Sequence, residues 1–260
     1  MKVGTILYLY IILSACIVIS MKNKKIIILF LLIGSLVFLP SSAFAHKLIP
    51  TDGSNNSFEN PLVFDDHKVS WVVYEEINGN ELYYSFKAKK GDMFYSSIVI
   101  PKIENLENFA PSLAFIGYES HLELIQSYEI DNSNKSYPYQ LPEGFDVYVF
   151  DYSGTFPSEE FYEPFGQITY WERQEVTFDL PADGTYYLSI FDKSANSGKY
   201  ALAIGKIEDF SAYDFFTVLP YAWLATKLFV NDYFSAIIAI SIFIGILSLI
   251  GLGVYRKLRK

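Results

Sequence analysis

Residues 234–254, FSAIIAISIFIGILSLIGLGV, contain no charged side chain and run straight into Tyr255-Arg256-Lys257-Leu258-Arg259-Lys260. About 20 apolar residues rising about 1.5 Å each match a hydrocarbon core of about 30 Å. The stretch therefore reads as a membrane-spanning helix, because a helix of a soluble domain rarely lacks a polar face over this length. Arg256, Lys257, Arg259 and Lys260 are costly to move across a bilayer, so residues 255–260 are expected in the cytoplasm and everything before 234 outside.

The charge distribution follows that division. Residues 46–206 hold 11 lysines and arginines against 25 aspartates and glutamates, a net of −14. Such a domain lacks the positive field that nucleic acid or an anionic lipid surface requires, and suits soluble cations, neutral sugars or basic partners. Its length is enough for one sizeable core. The sole cysteine, Cys16, precedes it, which excludes a disulfide framework, a thiolate metal site and a cysteine nucleophile from the outer region.

Upstream, Met21-Lys22-Asn23-Lys24-Lys25 is a basic start, 26–39 an apolar run, and Ala43-Phe44-Ala45 a small-residue cleavage site. Residues 21–45 thus read as a signal peptide cut after Ala45. The apolar leader 1–20 is then redundant. Either translation begins at Met21, or Leu13-Ser14-Ala15-Cys16 acts as a lipobox that lipidates Cys16, or the leader makes a second span.

Residues 46–63 are polar and rich in turn formers, an extended arm or loop. Asn55-Asn56-Ser57 and Asn134-Lys135-Ser136 are glycosylation sequons in segments expected to be exposed. The rest of the domain alternates like β-structure. Short runs rich in Val, Ile, Tyr and Phe fall at 69–76, 81–88, 93–100, 112–117, 122–130, 145–152, 167–171, 175–180, 185–191 and 199–205. Asn78-Gly79-Asn80, Lys90-Gly91-Asp92, Ala182-Asp183-Gly184 and Asn196-Ser197-Gly198 separate several of them. This predicts an antiparallel β-sandwich. Tyr84, Phe86 and Ala88 should face one way and Ser85 and Lys87 the other; Tyr200, Leu202 and Ile204 should oppose Ala201 and Ala203.

The strand 81–88 with its Lys90-Gly91-Asp92 turn resembles the opening of the pre-peptidase C-terminal-like domains of secreted proteins. Leu180-Pro181-Ala182-Asp183-Gly184-Thr185-Tyr186-Tyr187, followed by Ser197-Gly198-Lys199-Tyr200-Ala201-Leu202, is similar to their closing strands. The resemblance covers the two ends of the domain. It implies a jelly-roll-like sandwich and an accessory, non-catalytic role; residues 104–175 form an insertion outside the family pattern.

Within that insertion, Tyr152, Phe156, Phe161, Tyr162, Phe165, Tyr170 and Trp171 are interleaved with prolines and glutamates. Aromatic side chains bury large areas and usually serve packing, so a lid over one end of the sandwich is the first reading. The second makes Tyr162, Glu163, Phe165, Tyr170, Trp171 and Arg173 a ligand-binding set: rings that stack on sugar or partner, with Glu163 and Arg173 supplying hydrogen bonds.

No G-x-S-x-G, H-E-x-x-H or Gly-rich phosphate loop occurs, and His46, His67 and His121 lack metal-ligand spacing, so neither an enzyme nor a cofactor is predicted. Two weaker cation readings remain. Asp192-Lys193-Ser194-Ala195-Asn196 places oxygen ligands as a calcium loop begins, though a hairpin turn explains it as well. His46, if it becomes the first residue, could chelate copper through its amine and ring, with His67 or His121 as a further ligand.

Residues 207–233 are apolar but interrupted by Asp209, Asp214, Pro220, Lys227 and Asp232, and carry Tyr213, Tyr221, Trp223 and Tyr233. They are expected to lie as an interfacial helix at headgroup level. The sequence thus predicts a mainly β, type I membrane protein: β-sandwich 46–206, interfacial segment, span 234–254 and basic tail 255–260. The expected role is non-catalytic binding or scaffolding for envelope glycan or a partner protein. The alternatives are a copper- or calcium-binding surface domain and, third, a hydrolase accessory.

Overall fold

The computed structural model describes residues 46–125, 130–211, 213–214 and 217–259; in the last helix the side chains of 246, 249, 250, 252–254 and 257 are not described. The chain divides into Met1–Ala43 and Phe44–Lys260. The leader, Cys16 and the signal-peptide stretch 21–45 lie outside the described residues.

The second unit is mainly β. Among the described residues twelve strands form two six-stranded sheets. The first sheet orders β1 (Lys47–Leu48), β3 (Trp71–Asn78), β12 (Ser197–Ile204), β5 (Met93–Pro101), β10 (Ile168–Asp179) and β9 (Glu160–Glu163). The second orders β2 (Leu62–Phe64), β4 (Leu82–Ala88), β11 (Gly184–Phe191), β6 (Ser112–Tyr118), β8 (Phe145–Phe150) and β7 (Ser133–Asn134). A four-residue helix, α1 (Glu119–Leu122), follows β6 and runs into a turn at 123–125 where the sequence pattern predicts the start of a strand; 126–129 of that predicted strand lie outside the described residues.

Alternation sorts the side chains as the sequence predicts. Tyr84, Phe86 and Ala88 of β4, with Tyr200, Leu202 and Ile204 of β12, enter the core between the sheets. Ala201 lies on the opposite face of β12, in the outer layer of the first sheet. The middle of the core is aromatic: the Phe115 ring stands 4.9 Å from both Phe94 and Phe178 and 5.3 Å from Tyr186. Rings at these separations combine large buried area with offset or edge-on attraction.

The sandwich departs from a purely antiparallel one at its margins. β1 and β2 come from the stretch predicted as a loop, and each pairs in parallel, with β3 and β4 respectively. Between them Asn55 is buried. Its Nδ2 donates to the Tyr83 carbonyl at 3.1 Å, so the sequon amide expected at the surface is a structural donor in the fold. Asn134 Nδ2 likewise donates to Asp151 at 2.8 Å. At the close of β12, Gly205 takes φ +71, and a Cβ there would meet the Val69 carbonyl oxygen at 2.2 Å, so only glycine fits.

Two helices follow the sandwich. α2 (Val218–Phe229) packs on the outer face of the first sheet, where Ala222 joins Leu48, Val72, Ile168, Tyr170 and Ala201. Phe229 stacks on Tyr74 at 4.7 Å, Thr226 Oγ1 reaches the Tyr74 hydroxyl at 3.1 Å, and Lys227 pairs with Asp232 at 3.1 Å. The small apolar face of α2 is thus used on the sandwich, while Tyr221 on the same helix is exposed. α3 (Tyr233–Leu258) starts at Asp232, whose side chain accepts from the Ser235 amide at 3.2 Å. Phe234, Ile237, Phe243, Ile244 and Leu247 are exposed along it. Among the described residues no helix is long and apolar enough to cross a membrane.

Candidate functional site

The aromatic insertion is drawn into the sandwich by β10. Its first four residues pair with β9 (Tyr170 opposite Phe161), and 170–172 and 175–179 pair with β5. Between Glu172 and Glu175 the register with β5 shifts, a bulge that lets neighbouring residues turn inward. Arg173 and Gln174 are both buried there. The Arg173 guanidinium donates to the carbonyls of Phe109 (2.9 Å), Glu107 (3.0 Å) and Glu172 (3.0 Å) and to the Ser158 hydroxyl. It also lies 5.1 Å from the rings of Tyr152 and Phe156. It fastens two loops to the bulge. Gln174 donates to the Pro111 and Phe150 carbonyls.

The six residues of the predicted ligand-binding set therefore separate. Trp171 belongs to the core between the sheets, and Tyr170 to the layer beneath α2. Arg173 is consumed by backbone carbonyls. Phe165 packs against the α2 layer from its edge. Tyr162 is exposed on β9, 57% of its surface being open. Glu163 is half-buried and accepts from the backbone amides of Phe165 and Gly166. Trp171, Tyr170 and Arg173 spend their surface or their donors inside the fold, on a strand of the first sheet rather than on a loop over its end.

What the sequence reading missed is a groove of about 220 Å3 on the outer face of the first sheet, beside Glu163 and Tyr170. Register explains its floor. Val72 of β3, Ala203 of β12, Ser97 of β5 and Glu175 of β10 stand side by side, as do Tyr74, Ala201, Val99 and Glu172. Small side chains at the centre of both rows, flanked by larger ones, leave a trough across the strands. Phe161 and Glu163 of β9 rise at one end, and His46 lies at the margin. The sequence showed Ala201 and Ala203 facing outward; that Ser97 and Val99 align with them is cross-strand information.

Burial sets the electrostatics. It raises the Glu163 carboxyl above the usual range, against the two amides that favour its anion. Burial also pushes the Tyr170 hydroxyl well above its ordinary value, helped by Tyr74 and Glu163. That hydroxyl is buried without a hydrogen bond of good geometry among the described residues. His46 is pushed down by burial, and its Nδ1 lies 2.6 Å from Ser70 Oγ. The ring nitrogen that a terminal copper chelate would use is thus already engaged.

The other cation readings find little support in geometry. His67 is buried and stacked on Phe86 at 4.9 Å, its Nε2 4.0 Å from Asp92 Oδ2, while His121 packs near Tyr118 and Tyr186. Asp192 Oδ1 accepts from the amides of Ser194 (2.9 Å) and Asn196 (3.0 Å), the role of a turn residue between β11 and β12. Among the described residues no group of three or more His, Cys, Asp or Glu is placed to hold a metal ion.

No protein-family model matches the chain, and no curated protein matches it. Among solved structures, the chain is similar to the pre-peptidase C-terminal domain of a Bacillus anthracis collagenase, with 14% identity over 57% of this chain and 97% of that one, at a TM-score of 0.30. It is similar also to Aeromonas hydrophila PliG, a periplasmic inhibitor of g-type lysozyme (13% identity, 62% and 98% covered, TM-score 0.31). A third is CorA, a surface-associated copper-binding protein of Methylomicrobium album BG8 (11% identity, 56% and 98% covered, TM-score 0.28). The first belongs to the family that the motifs at 81–92 and 180–202 resemble. Likenesses at these scores carry no argument about ligand or activity.

Proposed function

We propose that the chain is a non-catalytic binding module held at the outside of a cell membrane, with the trough on the first sheet as its ligand site. The trough carries this reading. It is a concave surface with a floor of small side chains, an aromatic wall at Phe161 and acidic groups at Glu163, Glu172 and Glu175. Concavity with a few convergent polar groups is what binding sites share. The ligand is an envelope glycan or a partner protein.

Anchoring by α3 is part of the proposal. A helix exposing Phe234, Ile237, Phe243 and Leu247 is stable where its surroundings are apolar, and residues 256–260 supply the cytoplasmic charge. Tyr213, Tyr221 and Tyr233, all exposed around α2, suit headgroup level.

A photoreactive phenylalanine analogue at Phe161 tests the site in cells. The expected result is an adduct with a glycan or an envelope protein that disappears when Ser97→Trp fills the trough. The absence of any adduct, or an adduct indifferent to Ser97→Trp in a chain that melts normally, contradicts the reading.

A further inference from the structure

Carboxylates outnumber cations around the trough, where Lys206 faces Glu175 and Lys227, itself paired with Asp232, acts on Glu163. Glu163, Glu172 and Glu175 line it, and Glu159 and Glu160 continue the same ribbon. Of the cations nearby, Arg173 is turned inward onto the Glu107 and Phe109 carbonyls. Lys102 is paired with Glu160 at the far side of β9. Lys206 lies over the Tyr95 ring at 4.0 Å and 3.8 Å from Glu175. His46 is held neutral by burial. Glu172 is exposed and makes no ion pair among the described residues.

At the acidic end the Tyr170 hydroxyl, 2% exposed as a residue, is buried beside Glu163 and the Tyr74 hydroxyl, without a hydrogen bond of good geometry among the described residues. A buried hydroxyl left unpaired costs about 1–3 kcal/mol, which an incoming polar group can recover. The trough crosses four strands, β3, β12, β5 and β10, so it is long in one direction and narrow in the other.

Resting on the trough as the binding site, we infer that its occupant is an extended peptide segment bearing lysine or arginine. A long cationic side chain lays its methylene stem along Ser97 and Val99 and brings its charged head to Glu172 and the Tyr170 hydroxyl, two residues apart on β10, which give it charge-assisted hydrogen bonds. A net of −14 over residues 46–206 draws such a segment in from a distance. Neutral glycan gains nothing from these carboxylates' charge.

The test uses the full chain in zwitterionic detergent, titrated by calorimetry with a blocked alternating Ala-Lys hexapeptide, its Ala-Gln counterpart and a neutral chito-oligosaccharide. The Lys peptide is expected to bind at least about tenfold tighter than the Gln peptide, a difference that salt erodes. Glu172→Gln with Glu175→Gln should remove most of that preference while leaving the melting temperature unchanged, and Ser97→Trp should abolish binding of the Lys peptide. Equal binding of both peptides, or binding of the saccharide alone, lost in either case with Ser97→Trp, overturns the cationic occupant and leaves the trough as the site. Peptide binding that survives Ser97→Trp, or no binding of any probe, overturns both.

Discussion

Replacing Tyr170 and Trp171 together by alanine is expected to abolish the folded sandwich at physiological temperature. The two side chains point to opposite faces of β10, Trp171 into the core between the sheets and Tyr170 into the layer under α2. Truncating a buried aromatic residue costs about 3–5 kcal/mol through lost burial and the cavity left behind. Because the two cavities open in separate layers, the losses should nearly add, to about 6 kcal/mol or more. That matches the whole stability of many domains, about 5–15 kcal/mol. Circular dichroism melting of the full chain in detergent measures it. A double variant that melts within about 4 °C of the parent would mean that these side chains are not packed as described. Lost ligand binding in this variant would report unfolding, not a missing contact.

The second large effect is expected at the other end of the sandwich. Glu75 of β3 is 5% exposed and points into the core. Its carboxylate accepts from Thr51 Oγ1 at 2.5 Å, Tyr200 at 3.1 Å, Asn55 Nδ2 at 3.4 Å and the Tyr84 hydroxyl. Tyr84 and Tyr200 also hydrogen-bond each other. Burial raises both phenols well above their ordinary range, so they stay neutral donors. Glu75→Ala strands several buried donors at about 1–3 kcal/mol each and frees the arm holding Thr51 and Asn55. The expected loss is about 3 kcal/mol or more, read as a lower urea midpoint with unchanged slope. The Tyr84→Phe background should shrink that loss, since the partner left stranded is then absent. A loss below about 1 kcal/mol would contradict the buried network.

These positions show which parts of the fold were legible in the sequence. β4 and β12 alternate cleanly, so their inward and outward residues follow from period alone. β10 was read as two strands, 167–171 and 175–180. The bulge at 172–175 changes the phase of alternation, and Trp171, Arg173, Gln174 and Val176 all turn inward around it. Arg173 was assigned to a surface because charged residues rarely bury; its burial depends on the Glu107 and Phe109 carbonyls, more than 60 residues away in sequence. β1, β2 and β9 are too short to show a period. The trough was invisible for a related reason: it consists of small residues from four strands aligned by register, and register is a property of pairs of strands. α2 illustrates the converse. Its composition suits an interface with lipid, and its buried Ala222 and Thr226, which composition does not single out, are used on the protein.

The account stands on a sandwich outside the membrane, an open β9 edge beside the trough, and a basic tail inside. Cysteine labelling addresses all three, since Cys16 is the only native thiol and precedes the cleavage site expected after Ala45. Tyr162→Cys and Arg256→Cys variants, both exposed positions, are treated in intact cells with a membrane-impermeant maleimide, before and after permeabilisation. The account predicts that Tyr162→Cys reacts at once in intact cells, that Arg256→Cys reacts only once the membrane is opened, and that the parent chain gives no signal. Labelling of Arg256→Cys in intact cells with Tyr162→Cys protected until permeabilisation would contradict it.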